Sequence, residues 1–114
     1  ESNINYIVSV EGNLELLNSE LSISIYRIVQ EAISNAAKHS KAANLWVSIQ
    51  LNETDIDMKI KDDGIGFDVQ EIINSVDSFG LRGIQDRVDA MNGFYKLTSD
   101  SLGTTLVFKF KKIG

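Results

Sequence analysis

The chain has 114 residues, of which 43 % are hydrophobic and 24 % charged, enough apolar material for the core of one globular domain. Its net charge of −5 and the lack of any basic run longer than Lys111-Lys112 argue against nucleic acid as a partner and against a basic membrane-binding face. It has no cysteine and a single histidine, which excludes a Cys/His zinc cluster and a disulfide framework and agrees with a reducing, cytoplasmic setting without establishing it.

The first two predicted elements are a strand and a helix. Apolar and polar residues alternate over residues 4 to 10, which predicts a strand that ends at Gly12. From residue 21 to about residue 39 apolar side chains recur at every third or fourth position, the period of a helix with one buried face. Ser19 is the candidate N-cap of this helix.

A predicted antiparallel hairpin comes next. Apolar residues alternate with polar ones over residues 45 to 51 and again over residues 56 to 60, and a turn at Asn52-Glu53 separates the two runs. Residues 62 to 80 carry glycines and aspartates with weak periodicity, and include at most one helical turn at about residues 69 to 73. Because connections this long are uncommon in small domains unless they are functional, we expect a lid over a site.

A second helix and a second hairpin are predicted in the last third of the chain. Ile84, Val88 and Met91 share one helical face, and Asn92-Gly93 is a suitable C-terminal cap. Two strands, at about residues 94 to 99 and 104 to 111, close the chain around a turn. The order β-α-β-β-lid-α-β-β predicts an α+β fold, a two-layer α/β sandwich in which helices cover one face of a mostly antiparallel sheet.

The whole chain, residues 1 to 114, is expected to form a single domain, because it contains no internal repeat, low-complexity tract or linker. No segment approaches the roughly 20 consecutive apolar residues of a membrane-spanning helix, and no signal peptide opens the sequence. The chain begins at Glu1 rather than Met. We therefore expect a piece of a longer protein that does not itself lie in the membrane.

Two polar residues, Glu31 and Asn35, lie four positions apart at the edge of the apolar face of the first helix. Asparagine is a poor helix former because its side chain competes for backbone hydrogen bonds, so Asn35 carries a small local cost. Considered alone, the pair is best explained as a solvated helix edge. The lone His39 is similarly explained as a partner of the carbonyl groups at the helix end.

Asp62 breaks the alternation of the third strand at DDGIGF, residues 62 to 67. Counting by twos from Ile56 places its side chain on the apolar face. A buried carboxylate needs donors, which can be loop amides or the amino group of a ligand. Gly64 and Gly66 follow at once, where a ligand could lie against the backbone. A tight turn capped by Asp62 explains this segment equally well.

Two further features lie in the last third of the chain. Thr104 shares the inward register of the last strand, although threonine is ordinary in strands. Gly80 and Gly83 precede the second helix, whose free N–H groups would suit phosphate, and by default they are flexible glycines at a helix start. Neither a Gly-x-Gly-x-x-Gly dinucleotide fingerprint nor a Gly-x-x-x-x-Gly-Lys phosphate loop occurs.

The order Glu-x-x-x-Asn, Asp-x-Gly-x-Gly, Gly-x-x-Gly and Gly-Thr resembles the ATP-binding domain of sensor histidine kinases. YRIVQEAISNAAKHSKA is similar to the N box of that family, KDDGIGFD to its first glycine box, FGLRGIQDRV to its second and GTTLVF to its terminal Gly-Thr element. The resemblance spans roughly residues 20 to 110, and it is strongest to the nitrate-sensor and desaturase-thermosensor branch. It implies the Bergerat ATP-binding fold, shared with topoisomerase II, mismatch-repair and heat-shock chaperone ATPases.

On the phosphate side, the resemblance implies that Asn35 coordinates a Mg²⁺ ion that bridges the ATP phosphates. Glu31 would orient a metal-bound water or assist proton transfer, and oxygen-bearing groups of this kind suit a hard cation. Lys38 would lie near the phosphates. His39 would lie beside the nucleotide rather than accept the phosphoryl group, and no family role is implied for Arg82.

On the base side, the resemblance implies that Asp62 accepts a hydrogen bond from the adenine amino group and that Thr104 supports the base through water. Four glycines would complete the site: Gly64 and Gly66 where base and lid approach the backbone, and Gly80 and Gly83 at the phosphate-side hinge of the lid.

The implied function is that of the ATP-binding catalytic domain of a two-component sensor histidine kinase, either cytoplasmic or the cytoplasmic part of a membrane-anchored sensor. The γ-phosphoryl of ATP-Mg²⁺ would pass to a His on a separate dimerisation domain, a segment missing from this chain, for relay to a response regulator. Alternatives with the same fold are an ATP-gated clamp, an anti-sigma-type kinase that phosphorylates serine, and a degenerate domain that only binds nucleotide. The intact Glu31 and Asn35 argue against the last.

Overall fold

The computed structural model of the chain describes residues 4–13, 15, 17–35, 41–64 and 79–111. Within these residues there are five strands and two helices, in the predicted order. They are β1 (Asn5–Gly12), α1 (Ser19–Asn35), β2 (Asn44–Leu51), β3 (Asp55–Asp62), α2 (Phe79–Ala90), β4 (Phe94–Asp100) and β5 (Gly103–Lys111). The helical turn predicted at about residues 69 to 73 lies outside the described residues. No helix in the described ranges is long and apolar enough to cross a membrane.

The strands form one mixed sheet in the order β1-β2-β3-β5-β4. β1 and β2 are parallel, and every other neighbouring pair is antiparallel. The two hairpins turn where the sequence predicts, with the amide of Asn52 donating to the carbonyl of Asp55 at 2.9 Å in the first. The predicted α+β fold with a mostly antiparallel sheet is confirmed.

The core lies between the two helices and one face of this sheet. Along β3 and β5 buried residues alternate with more exposed ones, because successive side chains of a strand point to opposite faces. Each helix adds a stripe of apolar residues three or four positions apart. The largest fully buried side chains are Phe108, Phe110, Ile28, Leu45, Ile56, Met58, Ile84 and Val88.

The bounds of β1 agree with the prediction, but its side chains are not buried. All of its residues are exposed, although the register places Tyr6 and Val8 opposite the buried Leu45 and Val47 of β2. β1 is an edge strand, and the apolar side chains of β1 and α1 line an open groove of about 280 Å³ between the two elements. Sequence alternation therefore predicted the strand but not the exposure of its apolar face.

The start of α1 differs from the prediction by one residue. Asn18, not Ser19, is the N-cap: the Oδ1 atom of Asn18 accepts the backbone N–H of Leu21 at 2.8 Å. Ser19 is the first helical residue. Both residue types cap helices well, so composition did not distinguish them, and the approach of the chain to the helix decided between them. The predicted continuation of α1 beyond Asn35 to residue 39 lies outside the described residues.

The prediction that Gly80 and Gly83 precede the second helix is wrong, because α2 begins at Phe79 and includes both glycines. Glycine costs about 1 kcal/mol relative to alanine inside a helix. That cost is offset where the same helix buries Ile84 and Val88 completely.

The predicted C-terminal cap of α2 is confirmed. Asn92 adopts the left-handed conformation with φ of 52°, and the amide of Gly93 donates to the carbonyl of Val88 at 2.9 Å. Gly93 is needed for packing as well, because a Cβ atom at this position would lie 2.7 Å from Cδ1 of Phe110.

Neighbouring residues of β5 provide a matched test of this core. Phe108→Ala should reduce the free energy of unfolding by about 3–5 kcal/mol, because Phe108 is fully buried and stacks on Tyr95 and Phe110. Val107→Ala, on the exposed face of the same strand, should cost less than about 1 kcal/mol. Urea unfolding followed by the fluorescence of the single tryptophan, Trp46, measures both. Equal losses would contradict the assignment of the two faces.

Candidate functional site

Asp62 ends β3 with its side chain on the inner face of the sheet, as the alternation predicted, and the residue is only 7 % exposed. Its Oδ1 atom accepts the backbone N–H of Gly64 at 2.9 Å and that of Thr104 at 3.3 Å. Among the described residues, both hydrogen bonds to this carboxylate end on Oδ1. One donor is an amide of the loop after β3 and the other is an amide of β5.

Thr104 lies directly opposite Asp62 in the pairing of β3 with β5, and it is also 7 % exposed. Its hydroxyl lies 2.9 Å from the hydroxyl of Ser99, its partner in β4. Asp62 and Thr104 are the two buried polar or charged residues in the described part of the chain. The three side chains form a polar row across β3, β5 and β4, where the apolar inner face ends.

Gly103 allows this row to form. It has a φ of 136°, a conformation that other residues rarely adopt, and a Cβ atom there would overlap the carbonyl oxygen of Asp62. Since a side chain would push β5 away from β3, the amide of Thr104 would no longer reach Asp62. From the sequence, Gly103 was predicted to lie in a turn and, by resemblance, in the Gly-Thr element, but its approach to Asp62, 41 positions earlier, leaves no local pattern.

Glu31 and Asn35 lie one turn apart at the C-terminal end of α1, and Glu31 is half-buried. β1 and β2 are parallel, so the helix that connects them runs back to the end of the sheet at which β2 starts. That end is also where β3 finishes, since Leu45 pairs with Asp62. The topology therefore brings the end of α1 and the Asp62 carboxylate to the same end of the sheet.

Of the other predicted site residues, some lie in the described part of the chain and some do not. Gly64 is buried beside Asp62 and donates to it. Gly80 and Gly83 lie in the first turns of α2, and nothing lies within 4 Å of a Cβ atom built on Gly83. No described neighbour therefore requires a glycine at residue 83. Lys38, His39 and Gly66 lie outside the described residues.

The carboxylate of Asp63, which the sequence analysis did not single out, is hydrogen-bonded on both oxygens. Oδ1 accepts the backbone amides of Ala43 at 2.9 Å and Asn44 at 2.8 Å, and Oδ2 accepts the side-chain amide of Asn44 at 2.8 Å. The side-chain bond from Asn44, followed by the backbone bonds, lowers the pKa of Asp63 below its ordinary value. The one sequence feature that could have indicated this role is the second aspartate of the Asp62-Asp63 pair, at the end of β3.

Comparison with known proteins identifies the family. A sequence model described as histidine kinase-, DNA gyrase B-, and HSP90-like ATPase matches residues 20–113. The histidine-protein kinase/phosphatase DegS of Bacillus subtilis is 36 % identical over 95 residues, 82 % of this chain and 25 % of DegS. The oxygen sensor histidine kinase NreB of Staphylococcus carnosus is 33 % identical over 90 residues, 79 % of this chain and 26 % of NreB. The chain thus spans about a quarter of the length of these relatives.

Solved structures share the fold. The ATP-binding domain of PrrB from Mycobacterium tuberculosis superposes with a TM-score of 0.70 at 21 % identity, covering 100 % of this chain and 84 % of that one. The histidine kinase domain of the blue-light activated kinase EL346 from Erythrobacter litoralis gives a TM-score of 0.70 at 20 % identity, covering 92 % of this chain and 54 % of that one.

Replacement of Asp63 by Asn should lower stability in a way that depends on pH. Hydrogen bonds depress the folded-state pKa of Asp63 below 3.8, so the ionised carboxylate stabilises the fold above that pH, and the contribution is lost as the pH falls through the lowered pKa. The urea midpoint of the variant should therefore lie below that of the parent at pH 7, and the gap should narrow below about pH 4. Asp86→Asn, at an exposed position of α2, is the control. A gap of constant size down to pH 3 would contradict the role of the charge.

Proposed function

This chain belongs to the family of histidine kinase-, DNA gyrase B- and HSP90-like ATPases, and we propose that it is the ATP-binding catalytic domain of a two-component sensor histidine kinase. The observation that carries the proposal is the buried Asp62 carboxylate, whose Oδ1 accepts two backbone amides in the described part of the chain. Its Oδ2 would bind the ligand. The sensor kinases to which the chain is similar support the same function. We propose that residues 1 to 114 act as one such domain.

Adenine would be recognised at the polar end of the sheet. The Oδ2 atom of Asp62 would accept a hydrogen bond from the amino group of the base, and the Thr104 hydroxyl would reach the ring through water. The Thr104 hydroxyl already lies 2.9 Å from that of Ser99, and a hydroxyl can make more than one hydrogen bond, so it could also bind this water. Gly64 and Gly66 would let the base approach the backbone.

The phosphates would lie toward the end of α1. Glu31 and Asn35 offer a carboxylate and an amide oxygen on one helix turn, a donor set that fits Mg²⁺, which takes oxygen ligands and keeps several waters. When bound, the ion supplies charge neutralisation for the phosphates. Lys38 would add positive charge, which a chain of net charge −5 needs near an anionic ligand. His39 would lie beside the nucleotide, and Gly80 and Gly83 would shape the phosphate-side hinge.

The reaction would be an in-line transfer from ATP to a His on a separate dimerisation domain of the same protein. A nitrogen of that imidazole attacks the γ-phosphorus as the bond to the β,γ-bridging oxygen breaks, and ADP leaves. Glu31 would take the imidazole proton or orient a water that does so. The contribution of the domain is positioning and charge stabilisation, as in phosphoryl transfer generally. We propose a response regulator as the next acceptor and the cytoplasm as the site of action.

Recognition of the base is tested by Asp62→Asn. An amide accepts hydrogen bonds less well than a carboxylate and presents an NH₂ group to the adenine amino group, so ADP affinity should fall by about 1–3 kcal/mol. Titration calorimetry with ADP in the presence of a chelator measures the loss without any metal contribution. Asn35→Ala is the matched control: it should leave metal-free ADP binding nearly unchanged and weaken binding of the Mg²⁺ complex of an ATP analogue. If Asp62→Asn bound ADP with unchanged affinity, the pocket assignment would be wrong.

The chain on its own should bind ATP-Mg²⁺ without phosphorylating itself on histidine. His39 is its only histidine, and the resemblance implies a position beside the nucleotide, from which it would not reach the γ-phosphorus in line. Incubation with γ-labelled ATP should leave no acid-labile label on the chain. Label should appear once a His-bearing dimerisation segment is added in trans or fused in cis. Acid-labile label on His39 would overturn the proposed division into two parts.

A further inference from the structure

Asp63 directly follows Asp62, the residue proposed to bind adenine, but Asp63 is exposed whereas Asp62 is buried. An exposed carboxylate needs no protein donors, because water solvates it well. Asp63 nevertheless uses both oxygens in three bonds of 2.8 to 2.9 Å, all from Ala43 and Asn44. These bonds therefore act on the geometry of the backbone rather than on the solvation of the charge.

Asp63 belongs to a group of hydrogen bonds that connects three strands at one end of the sheet. The amide of Asp63 also donates to the carbonyl of Asn44 at 3.3 Å, so the two residues hold each other through main chain and side chain. Asn5 of β1 binds the same two residues. Its backbone amide donates to the carbonyl of Ala43 at 2.9 Å, and its side-chain amide donates to the side-chain oxygen of Asn44 at 3.3 Å. The start of β1, the start of β2 and the end of β3 are thus connected.

Asp62 is the residue just before these hydrogen bonds in the chain. The pairing of β2 with β3 ends at Leu45 and Asp62. The end of a strand frays easily unless the residues that follow it are also hydrogen-bonded. Asp63 holds the chain one residue beyond that pair on the β2 side. On the other side, Asp62 pairs with Thr104 of β5, whose amide also donates to the Asp62 side chain. The backbone that carries the Asp62 side chain is therefore fixed from both neighbouring strands.

We propose that Asp63 is a positioning residue for nucleotide recognition, whose carboxylate fixes the end of β3 against the start of β2 so that Asp62 holds Oδ2 toward the base. Residues 43 and 44 follow α1 in the chain, so the same bonds fix the end of β3 relative to the segment that leads from the proposed phosphate side. The inference rests on the proposed function, in which Asp62 accepts the adenine amino group.

The test compares Asp63→Ala and Asp63→Asn with the parent, using metal-free ADP as the probe and a temperature well below the unfolding midpoint of every variant. Asp63→Ala should weaken ADP binding about tenfold, because small displacements of a recognition group cost this much or more. Asp63→Asn should lose less, since its amide oxygen can still accept the backbone N–H groups of Ala43 and Asn44. If Asp63→Ala fails to fold, the ADP affinity of Asp63→Asn still tests the proposal.

Asp55→Ala, at the opposite end of β3, is the control for a loss of stability alone. Asp55 accepts a hydrogen bond from the side chain of Asn52 at 2.8 Å and pairs with Lys109, so its removal also weakens the sheet. It lies far along the strand from Asp62 and should leave ADP affinity unchanged. A matching loss of affinity in Asp55→Ala would show that reduced stability is the cause and would overturn the proposal.

A double-mutant cycle with Asp62→Asn distinguishes positioning from an independent effect. If Asp63 acts through Asp62, Asp63→Ala should cost much less affinity in the Asp62→Asn background than in the parent. Additive losses, or unchanged ADP affinity in both Asp63 variants, would overturn the inference while leaving the proposed function in place. Unchanged affinity in Asp62→Asn itself would instead remove the proposed function.

Discussion

The burial of one carboxylate, that of Asp62, is the constraint on which the site depends. A buried carboxylate is stable only where donors surround it, and the amides of Gly64 and Thr104 supply them to one oxygen. The Thr104 amide is in place because β5 starts beside the end of β3, which requires that Gly103 lack a side chain. The position of this carboxylate is therefore a property of strand pairing as much as of the acidic residue, and the proposed ligand site depends on both.

Two adjacent carboxylates divide the work at this end of the sheet. Successive residues of a strand point to opposite faces, so Asp62 faces the core and Asp63 faces solvent, and their charges do not share one pocket. Asp62 is held by amides from β5 and from the loop after β3, whereas Asp63 binds the start of β2. A single Asp-Asp pair thus connects the buried carboxylate proposed to bind the base with the contacts that hold β3 against β2.

Much of this architecture follows from periodicity. The two-residue repeat along β3 and β5 was sufficient to place Asp62 and Thr104 on the inner face, because that repeat is a local property of extended chain. The start of α2 was misplaced, because Gly80 and Gly83 were interpreted as flexible residues ahead of the helix, whereas both lie within it. The exposure of the apolar face of β1 was not foreseen either, since alternation shows that a strand has two faces but not what covers them.

Amino-acid order alone was enough to predict the kind and sequence of elements, the inward position of Asp62 and the family, because each depends on spacings of a few residues or on short motifs. The polar row and the bonds of Asp63 were decided by the folded chain. Thr104 donates to a residue 42 positions away and Asp63 accepts from residues 19 and 20 positions away. These contacts arise because burial of a common core determines which strands become neighbours. A contact between residues far apart in the chain therefore produces no periodic pattern in either segment.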